Sequence, residues 1–169
     1  MLKKLLFQLA IIGITMVSCS SYMAQKSYEG ASWVDSHGYT NCVELSNGFM
    51  SVILDPNCGG RVLEYSLDGQ NAIYTSPEHD GYTYTPGDKR IDPSGGRCDI
   101  GPEMLAPGRP DLWVGRWSAE IIGPRTARLT SVKDKSSGVQ LVREFRLDRD
   151  SSHLKFTQTI INISDETKR

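Results

Sequence analysis

Beyond its N-terminal segment the chain alternates apolar and polar positions in short runs. That period of two puts successive side chains on opposite faces of a β-strand. Strands are predicted over 39–45 and 49–54, split by Ser46-Asn47-Gly48, and Asn-Gly between apolar runs signals a tight hairpin. Asp55-Pro56-Asn57-Cys58-Gly59-Gly60 breaks the pattern, after which runs at 61–67 and 72–75 flank the turn Asp68-Gly69-Gln70-Asn71. A polar segment over 76–111 precedes a second group of runs at 117–122, 127–133, 139–147 and 154–163. In 139–147, Val139, Leu141, Phe145 and Leu147 share one face with a single exception, Arg143, while Gln140, Glu144 and Arg146 take the other. The last three runs read as an antiparallel meander with one buried and one wet face. No later window carries an apolar stripe of helical period, and no repeat of fixed length is present, so the domain is expected to be all-β.

The N-terminal segment has a different pattern. Lys3 and Lys4 precede an apolar run over 5–17 and then Ser18-Cys19-Ser20-Ser21, the layout of a secretory signal. Met16-Val17-Ser18-Cys19 resembles a bacterial lipobox, which implies lipid on Cys19 as the mature N-terminus. On this reading 1–19 is a lipoprotein signal peptide, 20–38 a polar tether, and 39–169 the folded domain of an exported protein, lipid-anchored in a bacterial cell envelope. Removing the signal leaves a net charge of about −3, against −1 for the whole chain. This balance disfavours nucleic acid or an anionic membrane surface as partner. No later run approaches the roughly 20 apolar residues of a spanning helix, so membrane contact is expected through the lipid alone.

Export places Cys42, Cys58 and Cys98 where disulfides persist. Three cysteines allow at most one intrachain pair, which the sequence does not identify. They lack C-x-x-C spacing, and the histidines lack H-x-x-x-H spacing, so neither a metal nor another cofactor is expected. The stretch 92–103, Asp-Pro-Ser-Gly-Gly-Arg-Cys-Asp-Ile-Gly-Pro-Glu, suits neither helix nor central strand. Such a long segment inside a small domain is expected to be an ordered, functional loop. Acids stand at its first and twelfth positions, but Arg97 occupies the sixth, where a calcium loop of the EF-hand type needs glycine.

The order of motifs is similar to that of the galactose mutarotase-like (aldose epimerase-like) superfamily and, within it, of the bacterial DUF4380 proteins. The residues that carry the likeness are Asn47-Gly48, Gly59-Gly60-Arg61-Val62-Leu63-Glu64-Tyr65, and Asp68-Gly69-Gln70-Asn71-Ala72-Ile73-Tyr74. Ser94-Gly95-Gly96, Pro102-Glu103, Trp117 and Asn162-Ile163-Ser164-Asp165 complete the series. The resemblance covers 42–165 and implies a large antiparallel β-sandwich that holds a sugar on its concave face. The chain stops as the last strand passes into polar residues, and sandwiches of this kind run to roughly 200–250 residues. The domain is therefore expected to be the N-terminal portion of a longer one.

Epimerases of the superfamily move protons with a histidine and a carboxylate, which need separately tuned pKa values. They carry a His-Gly-Phe-Ala-Arg-like motif before a tryptophan. The comparable stretch here is Ala106-Pro107-Gly108-Arg109, followed by Trp113 and Trp117, with no histidine. The family's second histidine and catalytic glutamate fall beyond this chain's end. The resemblance thus implies carbohydrate binding first. A sugar epimerase or other carbohydrate-active enzyme whose remaining catalytic residues lie in a missing C-terminal part and a purely structural envelope role are the alternatives, and no catalytic residue is assigned.

Candidate sugar-binding residues are Arg61, Gly95, Gly96, Arg97, Asp99, Glu103 and Trp113. Guanidinium and carboxylate groups offer paired hydrogen bonds to hydroxyls, and an aromatic face suits the apolar side of a sugar ring. The same charges allow a structural reading, with Arg97 pinned to Asp99 or Glu103, and Arg61 paired with Glu64 or Asp55. Trp117 is expected in the core. His79 is a solvated histidine unless it reaches the cleft, whereas His37 and His153 fall in the tether and a turn.

Overall fold

The structure, a computed structural model, describes residues 27–87, 91–101 and 108–167. Among the described residues nine strands form two antiparallel sheets. The first contains β1 (Ala31–Ser36), β2 (Tyr39–Ser46), β3 (Met50–Asp55), β4 (Arg61–Leu67) and β5 (Gln70–Asn71) in sequential order. The second contains β6 (Ser118–Gly123), β7 (Thr126–Thr130), β8 (Val139–Leu147) and β9 (Leu154–Asn162), also in order. The predicted all-β class and C-terminal meander are both present. Between the sheets run a 3₁₀ turn at Pro77–His79 and one short helix, α1 (Pro110–Trp113).

Period-two alternation builds the core. Val43 and Leu45 of β2, with Met50, Val52 and Leu54 of β3, pack against Ala127 and Leu129 of β7 and Leu141, Phe145 and Leu147 of β8. Burying a side chain of this size contributes roughly 1.5–3 kcal/mol. The Asn47-Gly48 hairpin also ties one sheet to the other. Asn47 Nδ2 donates to the carbonyls of Asp148 and Ser151, each at 2.9 Å, at the turn between β8 and β9.

Two expectations are corrected. The tether does not extend to residue 38, because Ala31–Ser36 is a strand paired with β2, Ala31 opposite Leu45 and Trp33 opposite Val43. His37 and Gly38 form its two-residue turn, with φ of 50° and 73°. Both central residues of a type I′ turn take positive φ. His37 is accordingly no bystander: its Nε2 lies 3.0 Å from Glu64 Oε1, and its Nδ1 lies 3.5 Å from Asp80 Oδ1.

The run at 72–75 is not a strand, since β5 ends at Asn71. The Asn71 side chain takes over the β4 edge, accepting from the Tyr65 and Ile73 N–H groups at 3.0 and 2.9 Å and donating to the Leu63 carbonyl at 3.0 Å. A continuing strand needs those β4 groups, so the chain leaves the sheet. Among the described residues the three cysteines are all free thiols, and no helix is long and apolar enough to cross a membrane.

Candidate functional site

The vacated edge of β4 receives the glycine-rich loop. Gly96 forms an isolated bridge with Val62, each N–H donating to the other's carbonyl, at 2.7 and 2.9 Å. Glycine eases this approach, because a Cβ on Gly96 would stand 3.2 Å from the Val62 Cβ and 3.3 Å from its carbonyl oxygen, tight enough that Val62 would have to shift by a few tenths of an ångström. The Gly95 N–H donates to the Tyr74 carbonyl at 3.1 Å. Both glycine N–H groups are therefore used within the protein, and the loop's backbone serves to dock it on the sheet.

Arg61 anchors the loop from below. It is 1% exposed, and its Nη1 donates to the Pro93 carbonyl at 2.5 Å. Its Nη2 stands 3.7 Å from Asp92 Oδ1, beyond hydrogen-bond length. Neither Nε nor Nη2 has a hydrogen-bond partner. The structural partners foreseen for Arg61 are engaged elsewhere, Glu64 with His37 and Asp55 with its own turn. The same Asp92 oxygen accepts from Arg97 Nη1 at 2.9 Å and from Trp113 Nε1 at 3.3 Å. The Arg97 guanidinium lies over the Trp113 ring, 4.3 Å from its centroid, a cation–π arrangement.

A cleft of about 580 Å³ opens beside this group, lined by Arg61, Tyr74, His79, Asp92, Ser94 and Arg97, with Gly95 and Gly96 in its wall. His79 Nδ1 accepts the Ser94 N–H at 3.0 Å. A neutral ring that accepts at Nδ1 carries its proton on Nε2, where it is a donor. Tyr74 is 79% exposed at the rim and presents the open aromatic face expected of Trp113. Trp113 is instead stacked against Arg97, and Trp117 is core, 4% exposed.

The structure therefore brings together Arg61, Gly95, Gly96, Arg97 and Trp113 and leaves Asp99 apart. Asp99 pairs with Arg109, at 3.1 Å from Nη2 and 3.3 Å from Nε, and so pins the loop's far end to the start of α1. Arg97 pairs with Asp92, and not with Asp99. Glu103 and Cys19 lie outside the described residues. Among the described residues no group of three histidine, cysteine or acidic side chains is placed to hold a metal.

Arg143, the exception on the buried face of β8, proves to be the joint between sheet and loop. It is 2% exposed; its Nη1 donates to the Gly59 and Gly60 carbonyls, each at 2.8 Å, its Nε to Gln158 Oε1 at 2.9 Å, and its Nη2 to the Cys98 carbonyl. The guanidinium stacks on Trp117, 4.2 Å from the ring centroid. Burial pulls its pKa down to about 10, still well above neutrality. The signal available in sequence was a lone charge at an inward position of an otherwise apolar alternation.

Under the cleft, Asp55 closes the turn after β3. Its carboxylate accepts from the Asn57 N–H at 2.7 Å, Asn57 Nδ2 at 2.8 Å and the Cys58 N–H at 3.1 Å. Burial pushes this carboxyl above its ordinary value, against the hydrogen bonds that pull it down. Burial, with Asp55 alongside, also pushes the Cys42 thiol up to about 12, so that thiol is protonated and unreactive at neutral pH.

Because the folded value of Asp55 lies above the unfolded one, its contribution to stability is complete below the unfolded carboxylate pKa of about 3.9. It is lost as pH rises through the folded value. Asp55→Asn cannot ionise, so its stability relative to the native chain is expected to improve as pH rises above about 4 and to level off once pH has passed the folded value, measured by urea midpoints. A difference independent of pH would rule the assignment out.

Compared with known proteins, the chain has no significant match to a family model, to a curated sequence or to a solved structure.

Proposed function

We propose that this protein is a lipid-anchored component of a bacterial cell envelope whose mutarotase-like sandwich binds carbohydrate in the cleft beside Asp92 and Arg97. The observation that carries the reading is the lining of that cleft. Two guanidinium groups, a carboxylate, an imidazole N–H donor and the exposed ring of Tyr74 meet in about 580 Å³, the mixture of fixed polar groups and an aromatic face that a sugar ring requires. Calorimetric titration with mono- and oligosaccharides is expected to give binding that weakens at least fivefold in Tyr74→Ala, and absence of binding across a broad glycan array would sink the proposal. Radiolabelled palmitate is expected on the native chain and not on Cys19→Ser.

A second reading, acid–base chemistry on the bound sugar, is favoured by His79 and Asp92 lining the same cleft. Histidine and carboxylate are the pair such proton transfers use. It predicts that His79→Ala abolishes acceleration of sugar mutarotation and leaves binding largely intact.

A further inference from the structure

We infer that the cleft is selective for an acidic sugar residue, whose carboxylate is recognised by Arg61 and Arg97; this rests on the carbohydrate-binding reading and narrows it to a ligand class. The first observation is the unused hydrogen-bonding capacity of Arg61. Its side chain is 2% exposed, yet Nε and Nη2 lack partners. Buried donors are nearly always satisfied, because an unmet one costs about what it took to strip its water. Arg61 lines the cleft, and the carboxylate oxygen nearest to its Nη2, Asp92 Oδ1, stops short at 3.7 Å.

The second observation is the charge balance. Among the described residues that line the cleft, Arg61 and Arg97 face a single carboxylate, Asp92. The described donors near Asp92, from Arg61, Arg97 and Trp113, converge on one of its oxygens, Oδ1. His79, whose Nδ1 accepts the Ser94 N–H, is a neutral donor at Nε2 and leaves this balance unchanged. An incoming carboxylate answers both observations. It supplies the acceptor that Arg61 lacks and balances the second guanidinium, and hydrogen bonds between guanidinium and carboxylate are the strong, geometrically matched kind. A neutral hexose offers only hydroxyls, which leave the charge excess in place.

The position of the groups fits a ring bearing its acid group on an exocyclic carbon. The guanidinium pair lies at the Asp92 and Arg97 end of the loop, while Tyr74 stands at the rim and His79 in the wall. A carboxylate received on the arginine side of the cleft, beside Asp92, lets the ring itself extend toward the Tyr74 face.

The test is calorimetric titration of the native chain with oligosaccharides of glucuronate, galacturonate, mannuronate and guluronate, beside the same oligosaccharides reduced at the carboxyl to neutral hexoses. At least one acidic member is expected to bind tenfold or more tightly than its reduced counterpart. That preference is expected to shrink to less than threefold in Arg97→Gln, a change at a partly exposed residue that leaves the buried scaffold intact. Arg61→Lys, checked for a native melt, is expected to reduce acidic binding while sparing neutral binding. Arg146→Gln is the control, because Arg146 lies in a separate basic cleft with Arg149 and Lys155.

Equal binding of acidic and reduced sugars overturns the inference and leaves the carbohydrate reading standing. Equal losses in Arg97→Gln and Arg146→Gln overturn it too, since the preference then comes from the general field of the protein. Failure of every acidic and neutral sugar to bind overturns both.

Discussion

Arg143→Ala is expected to destabilise the fold by about 3–5 kcal/mol, the size that follows from emptying a large buried site and orphaning its polar neighbours. The guanidinium holds the Gly59 and Gly60 carbonyls on one side and the Cys98 carbonyl on the other. Its removal leaves those acceptors without donors in a region from which water is excluded. Arg143→Lys is expected to recover only part of the loss, because an ammonium has no planar fork for carbonyls in different directions and stacks less well on Trp117. Urea midpoints at constant slope measure the change, and a loss below about 1 kcal/mol would remove Arg143 from its role as joint. The consequence for function follows from geometry. Arg143 sits on the second sheet and grips both the turn that leads into Arg61 and the loop that bears Arg97, so binding in the proposed cleft is expected to fall even in the fraction that remains folded.

Gly59→Ala is expected to cost a similar amount, about 3–5 kcal/mol, by a different mechanism. Gly59 has φ of +68°, which costs an L-residue roughly 1–2 kcal/mol. An added Cβ would also stand 1.9 Å from the Trp113 carbonyl oxygen. That neighbour is backbone and cannot rotate away. Gly59 is held in place by its own N–H, which donates to the Gly115 carbonyl at 2.8 Å, and by its carbonyl, which accepts from Arg143. The melting temperature is expected to fall by on the order of 10–15 °C. Gly69→Ala provides the comparison: its φ is also positive, at +79°, but nothing lies within 4 Å of the added carbon, so only the conformational cost of about 1 kcal/mol is expected. Equal effects at the two positions would show that steric contact with Trp113 contributes nothing.

How much of this was legible in the chain depends on the range of the interaction concerned. Strand 139–147 was readable to the residue, because alternation over nine positions is a local property. The Asn47-Gly48 hairpin was readable because two residues set its turn. β1 was hidden because Ser32, Asp35 and Ser36 interrupt its apolar residues Ala31, Trp33 and Val34, and because positive φ at the first residue of its turn, His37, is uncommon outside glycine. The run at 72–75 misled for the opposite reason: its residues suit a strand, but the Asn71 amide occupies the edge they would need.

The candidate site follows the same division. That 92–103 suits neither helix nor central strand could be read from its glycines, prolines and ionic residues. Which charges meet could not, since Arg97 chose Asp92, five residues back, and Asp99 chose Arg109, ten residues on. Tyr74 and His79 entered the cleft only because the chain abandons the sheet at Asn71 and returns at Gly96.

By itself, then, the sequence determined the all-β class, the grouping of strands into two sets and the existence of a structured polar loop between them, because side-chain period and turn chemistry act over a few neighbouring residues. Only the tertiary structure decided that Arg61 lies buried with donors to spare beneath that loop, and that Arg143 reaches 84 residues back along the chain to the Gly59 carbonyl. Such contacts depend on how two sheets stack and where a strand edge is vacated, and no local pattern encodes either distance.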